Sequence, residues 1–163
     1  MKSINGVIKL HPNINSDSRG VSMDYLYKGF NMTYSLISQN YRRGTLRGLH
    51  FQTGEKAQSK LIRCLNGKIF DVVVDLRPDS PTYLNWHGEY LTNRDFFMLY
   101  IPKGCAHGFI TLESWTDVFY QIEGAYDASS SSGIRWNDSR FGIIWPEEVK
   151  AISEQDTKWP DWI

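Results

Sequence analysis

Residues able to move protons cluster in the middle of this sequence. His50 lies in Arg47-Gly48-Leu49-His50-Phe51-Gln52, with Lys60 shortly after it; His107 lies in Ile101-Pro102-Lys103-Gly104-Cys105-Ala106-His107-Gly108-Phe109. A histidine with an unperturbed pKa of about 6.5 is available as a neutral base at pH 7. A lysine beside it repels positive charge and attracts a developing negative one. That pair suits removal of a proton next to a carbonyl: the base takes the proton, and the enolate oxygen needs a fixed positive group. The base also needs an orienting carboxylate on its other nitrogen. Returning the proton to the opposite face of the carbon requires a second acid, and a tyrosine can serve. His11, before a proline, and His87, after Trp86, have no such neighbourhood. Taken singly, His50 and His107 would each read as a hydrogen-bonded structural histidine.

Short strands carry these residues. Turn residues recur along the whole chain with apolar runs between them, the pattern of an all-β sandwich or barrel. Residues 60–65 and 68–76 are rich in Ile, Val, Leu and Phe, and Asn66-Gly67 between them is the preferred two-residue hairpin turn. On the second run Phe70, Val72, Val74 and Leu76 share an apolar face that must be core. Ile69, Asp71, Val73 and Asp75 share the other, whose two carboxylates need water or a polar cavity. Further strands are expected at 97–102, 108–112 and 118–122. The Ser129–Gly133 stretch reads as a surface loop. Helix signals are weak, with one or two short turns expected between Glu147 and Asp156. A small β-barrel leaves an interior just wide enough for a ligand.

The 163 residues suit one domain, 1–163, which would bury roughly 70% of its unfolded surface. Lys and Arg total 18 against 18 Asp and Glu. That balance argues against a nucleic acid or a membrane bound by bulk charge, while leaving room for a local basic pocket. With 41% hydrophobic and 14% aromatic residues the chain is not disordered. No apolar run reaches membrane-spanning length, and the N-terminus does not read as a signal peptide. Cys64 and Cys105 read as reduced and buried, which points to the cytoplasm.

The P-x-G-x-x-H of Pro102 to His107 resembles a motif of cupin barrels. In metal-binding cupins a first motif supplies H-x-H and then Glu, to join a later His. Here Gln52 stands two residues after His50, and the cationic Lys60 lies near where the Glu would fall. No catalytic metal is expected, since zinc or iron needs three or four converging N or O ligands.

Several runs together resemble the dTDP-4-dehydrorhamnose 3,5-epimerase family. They are Leu46–Gln52, Lys60-Leu61-Ile62-Arg63-Cys64, Gly67–Leu76 and Asp79-Ser80-Pro81-Thr82. Ile101–Gly104, His107-Gly108-Phe109, Phe119-Tyr120, Ile134-Arg135-Trp136-Asn137-Asp138 and Gly142–Pro146 continue the match. The resemblance implies a cupin-like jelly-roll β-barrel with a few short helical turns. It implies a homodimer that exchanges an N-terminal strand, for which residues 1–10 alternate well enough. It implies no cofactor and no metal. The substrate would be a nucleotide-diphosphate 4-keto-6-deoxysugar, epimerised at C3, C5 or both in deoxysugar biosynthesis.

By the same resemblance His50 matches the general base, Asp156 its orienting carboxylate, Tyr120 the acid and Lys60 the residue beside the C4 keto oxygen. Arg19 and Arg47 match contacts to the nucleotide diphosphate, His107 a sugar-side contact, and Tyr126 an aromatic of the loop over the substrate. Asp24 and Gln52, within or beside these motifs, join the expected substrate contacts. Asp71 and Arg63 are expected to be polar interior partners only.

The departures from the family concentrate where substrate is recognised. Val21-Ser22-Met23-Asp24 replaces two aromatics and a Glu, Gln121 replaces a Lys, and Ala125-Tyr126 replaces paired aromatics. Losing aromatic contacts shifts specificity. The proton chemistry is therefore expected to persist on an altered nucleotide or sugar. The competing readings are a 3,4-ketoisomerase, opposed by the Arg-Gly-Leu-His signature, and a non-catalytic binding module. Retention of His50, Lys60 and Tyr120 together opposes the latter.

Overall fold

The structure is a computed structural model and describes residues 3–163. In chain order the strands are β1 (Ile8–Leu10), β2 (Asn13–Asp17), β3 (Gly20–Asp24), β4 (Tyr34–Asn40), β5 (Leu46–Gln52) and β6 (Ser59–Asn66). Then come β7 (Lys68–Asp75), β8 (Trp86–Thr92), β9 (Met98–Ile101), β10 (Cys105–Thr111), β11 (Thr116–Glu123) and β12 (Ser131–Gly133), followed by the short helix α1 (Glu154–Lys158). One antiparallel sheet has the order β1-β9-β6-β11-β4, and the other β12-β5-β10-β7-β8. The two sheets face each other in a cupin-like, jelly-roll arrangement. The hairpin β2–β3 forms a small sheet of its own. No helix among the described residues is long and apolar enough to cross a membrane.

Two apolar layers hold this together. Ile62, Cys64, Leu99, Ile101 and Val118 from the first sheet meet Ile69, Val73, Leu91, Cys105 and Phe109 from the second. The outer face of the second sheet, including Phe70, Val72, Val74 and Leu76, is covered by Ile134, Trp136, Phe141, Trp145 and Trp162 of the C-terminal segment. Strand β7 is thus buried on both faces. Its carboxylate-bearing face lies inside the barrel, where Ile69 and Val73 are core and Asp71 and Asp75 are fully buried. Asp75 is satisfied there by Arg77, Ser80 Oγ at 2.5 Å and Thr82 Oγ1 at 2.6 Å.

Three local expectations are corrected. Asn66-Gly67 does turn the chain, but β6 and β7 do not pair into a hairpin. β6 lies between β9 and β11, and β7 between β10 and β8, so the turn carries the chain from one sheet to the other. Trp115 O accepts a hydrogen bond from Asn66 Nδ2 at 2.6 Å, tying this turn to the start of β11. The serine stretch is not wholly loop, because Ser131–Gly133 adds β12 to the edge of β5. The helical turn forms later than expected, at α1, where Ser153 Oγ accepts from Asp156 N. As for the N-terminal strand, Met1 and Lys2 lie outside the described residues, and Ile8–Leu10 pairs with β9 of its own chain.

Candidate active site

The expected base, acid and lysine converge on one cavity of about 330 Å³ between the two sheets. His50 comes from β5, His107 from β10, Lys60 from β6 and Tyr120 from β11, so both sheets contribute. Register fixes their meeting. His50 and His107 are cross-strand partners on one sheet. On the other, Lys60 lies opposite Ile122 and Tyr120 opposite Ile62, which makes Lys60 and Tyr120 diagonal neighbours. The His107 and Tyr120 rings meet edge to face across the cavity at 5.9 Å.

His50 Nε2 lies 2.6 Å from Asp156 Oδ1. Asp156 is buried, whereas the His50 side chain is 43% exposed and open to the cavity. Burial alone would raise the Asp156 carboxyl. Hydrogen bonds from His50, from Gly48 N and from Trp159 Nε1 outweigh that and hold it below its ordinary value. The ionised carboxylate favours the proton on Nε2, which leaves the Nδ1 lone pair free to accept one. Gly48 is required here: its φ is +131°, and a Cβ on it would sit 2.5 Å from Gly108 Cα. The two glycines let β5 and β10 touch backbone to backbone beside both histidines.

Lys60 Nζ donates to the His50 carbonyl at 3.4 Å. Burial lowers its ammonium to about 8, against the pull of the Asp71 carboxylate. It is therefore mostly charged at pH 7 but holds its proton loosely. His107 Nε2 lies 2.7 Å from Asp71 Oδ2, both fully enclosed. Burial pulls the imidazole down despite Asp71. Tyr120 is raised above its ordinary value by burial, so it is a phenol throughout the physiological range. Among the described residues no three His, Cys, Asp or Glu side chains are placed to hold a metal ion.

The expected substrate contacts divide into three groups. Arg47 lines the cavity, its Nε donating to Asn40 Oδ1 at 2.8 Å, and Tyr126 stands largely exposed at the mouth. Gln52 also reaches the wall, but its amide is occupied. Its Nε2 donates to Lys56 O and Ala125 O, and its Oε1 accepts from Asp127 N. It clamps the loop before β12. Arg19 and Asp24 sit on the exposed β2–β3 hairpin, paired with Asp17 and Asn13, and do not line this cavity. Tyr34, Ser38, Gln58, Gln155 and Trp159 line it without having been singled out from the sequence. Trp159 follows Asp156 by one helical turn, the spacing from which its contact with that carboxylate follows.

The family model described as dTDP-4-dehydrorhamnose 3,5-epimerase matches residues 1–163. A relative of that name from Escherichia coli is 40% identical over 161 residues, covering 91% of this chain and 85% of its own. A dTDP-4-dehydrorhamnose 3-epimerase from Streptomyces niveus is 32% identical, covering 94% of this chain and 78% of its own. The crystal structure of dTDP-4-dehydrorhamnose 3,5-epimerase from Bacillus anthracis, with TDP and PPi bound, superposes with a TM-score of 0.93. It is 36% identical, covering 99% of this chain and 97% of that one. With the family model, these relatives and the fold all in agreement, this chain belongs to the dTDP-4-dehydrorhamnose 3,5-epimerase family, the sugar epimerases of deoxysugar biosynthesis.

Proposed function

We propose that the enzyme epimerises a nucleotide-diphosphate 4-keto-6-deoxysugar by proton removal and return on opposite faces of the carbon next to the ketone. The observation that carries this reading is the placement of the base on one sheet and of the acid and lysine on the other, facing across one cavity. His50 Nδ1 takes the α-proton, and the C–H electron pair moves into the enolate, whose C4 oxygen gains negative charge. The Lys60 ammonium stabilises that oxygen. Tyr120 gives its phenolic proton to the other face of the carbon, the C–O π bond re-forms, and the inverted ketone results. Arg47 offsets the negative charge left on the phenolate. The histidinium and phenolate then return to their starting forms through solvent.

The nucleotide side is completed by a second copy of the chain. Arg19, with its side chain 88% exposed, does not line the cavity of its own chain. The hairpin bearing it and Asp24 also exposes Ile14 and Val21, beside an outer sheet face with Ile37 and Leu65 exposed. A homodimer covering that face places the hairpin at the partner's cavity mouth. Burial of both free thiols fits a reducing, cytoplasmic compartment.

The test is α-proton exchange in heavy water with dTDP-, CDP-, UDP- and GDP-linked 4-keto-6-deoxyhexoses, followed by mass spectrometry. Two deuterons on one nucleotide name a 3,5-epimerase and its nucleotide; one names a single-carbon epimerase. No exchange on any of them would overturn the reading.

A further inference from the structure

We propose that Trp159 is a positioning residue for the base, acting through Asp156 on His50. This rests on the assignment of His50 as the base. Trp159 Nε1 donates to Asp156 Oδ1 at 3.2 Å, the same oxygen that meets His50 Nε2 at 2.6 Å. Gly48 N donates to the other oxygen at 3.2 Å. Three donors, two from β5 and one from the residue just past α1, thus fix one buried carboxylate. The indole also meets the imidazole edge to face, with ring centroids 6.3 Å apart.

A second feature shows that the indole has a seat made for it. Gly133 on β12 is the cross-strand partner of His50. A Cβ there would lie 2.4 Å from indole Cε2 and 2.6 Å from Nε1. Any side chain at 133 displaces the ring and, with it, the N–H that reaches Asp156. Gly133, Trp159, Asp156 and His50 therefore form one packed unit at the cavity wall.

The chemistry of the contact sets its effect. An indole nitrogen is a donor only. Each donor to a carboxylate favours its ionised form and weakens its hold on other protons. The titratable and charged groups around His50 are Asp156 from α1, Lys60 from β6, His107 with Asp71 behind it from β10 and β7, Tyr120 from β11 and Arg47 on its own strand. Trp159 is neutral at every pH. Its replacement alters the hydrogen bonding of the dyad without adding or removing a charge.

The test compares the wild type with Trp159→Phe, which keeps a ring and removes the N–H. Gly133→Ala displaces the indole by an independent route. Exchange kinetics are measured against substrate concentration and pH, and the His50 ring is titrated by NMR without substrate. In Trp159→Phe, kcat falls about tenfold, the worth of one hydrogen bond to a charged group, while KM stays within about twofold. The acid limb of the rate profile and the His50 titration midpoint both move to higher pH, and Gly133→Ala moves them the same way. An unchanged kcat and profile overturn the proposal, as does a rise in KM alone, which makes Trp159 a substrate wall. If the wild type exchanges no proton, the epimerase reading fails separately. The NMR titration still decides, because an unmoved His50 midpoint in Trp159→Phe overturns the positioning role.

Discussion

His50 and His107 stand directly opposite each other on β5 and β10, and each gives its Nε2 to a carboxylate. The two dyads differ in burial. His50 is 43% exposed and faces the cavity, while His107 and Asp71 are closed off from solvent. One pair is open to the cavity, and the other is an enclosed polar floor. Asp71 Oδ1 has no hydrogen-bond partner among the described residues, and the carboxylate acts through its charge on Lys60 and His107.

The first prediction concerns the dyad. His50→Asn abolishes α-proton exchange with little loss of nucleotide-sugar binding, because it removes the base and little volume. Asp156→Asn slows exchange by about a hundredfold or more, since it frees the wrong nitrogen of the imidazole. Single-turnover exchange beside calorimetric binding checks both. Wild-type exchange in His50→Asn would remove His50 from the mechanism.

Lys60 sets the alkaline side. Its ammonium titrates at about 8, so the rate declines as pH rises through that value and the enolate loses its partner. Lys60→Met lowers the rate about a hundredfold at pH 7. Lys60→Arg, charged up to a much higher pH, moves the alkaline limb out of range while slowing the reaction through altered geometry. Rate–pH profiles of the three proteins decide it; an alkaline limb unmoved in Lys60→Arg assigns that limb to another group.

Tyr120→Phe separates removal of the proton from its return. The base still works, so deuterium enters the substrate from solvent on the face His50 occupies. The inverted product does not accumulate. NMR of the recovered sugar distinguishes label with retained configuration from label with inversion, and inversion at the wild-type rate would dismiss Tyr120 as the acid.

Asp75 contributes to acid stability. Burial would raise its carboxyl, but bonds from Arg77, Ser80 and Thr82 bring it to about 2, below the unfolded value of 3.8. A depressed carboxylate stabilises the fold above the unfolded pKa, and that stabilisation is lost as pH falls through the folded one. Asp75→Asn therefore costs about 2 kcal/mol at neutral pH. The gap to wild type closes between roughly pH 4 and pH 2. Thermal melts across that range provide the measurement.

What the sequence revealed follows from the range of the forces involved. Alternation along 68–76 exposed both faces of β7, and the motifs around His50 and His107 lay within single strands. The partner of β6 was not legible at Asn66-Gly67, because a two-residue turn has the same local chemistry whether its strands pair or part. What parted them was competition: β9 and β11 occupy both edges of β6. Gln52 was readable as a poor metal ligand, but its clamp on Ala125 and Asp127 is a contact between distant segments. Trp159 escaped notice for a similar reason, since its seat is a glycine on another strand. Asp156, in a segment of poor motif match, was placed by resemblance and lies against His50.

The back-to-back glycines 48 and 108 have a consequence for how such an enzyme diversifies. A methyl group on either would force apart the strands that hold both histidines, so neither position accepts a side chain without moving them. The rim, with Tyr126 exposed and Gln155 on a short helix, carries no such restriction. Tolerance is thus set by position: backbone contact locks the strands beneath the histidines, while the rim has room for other side chains.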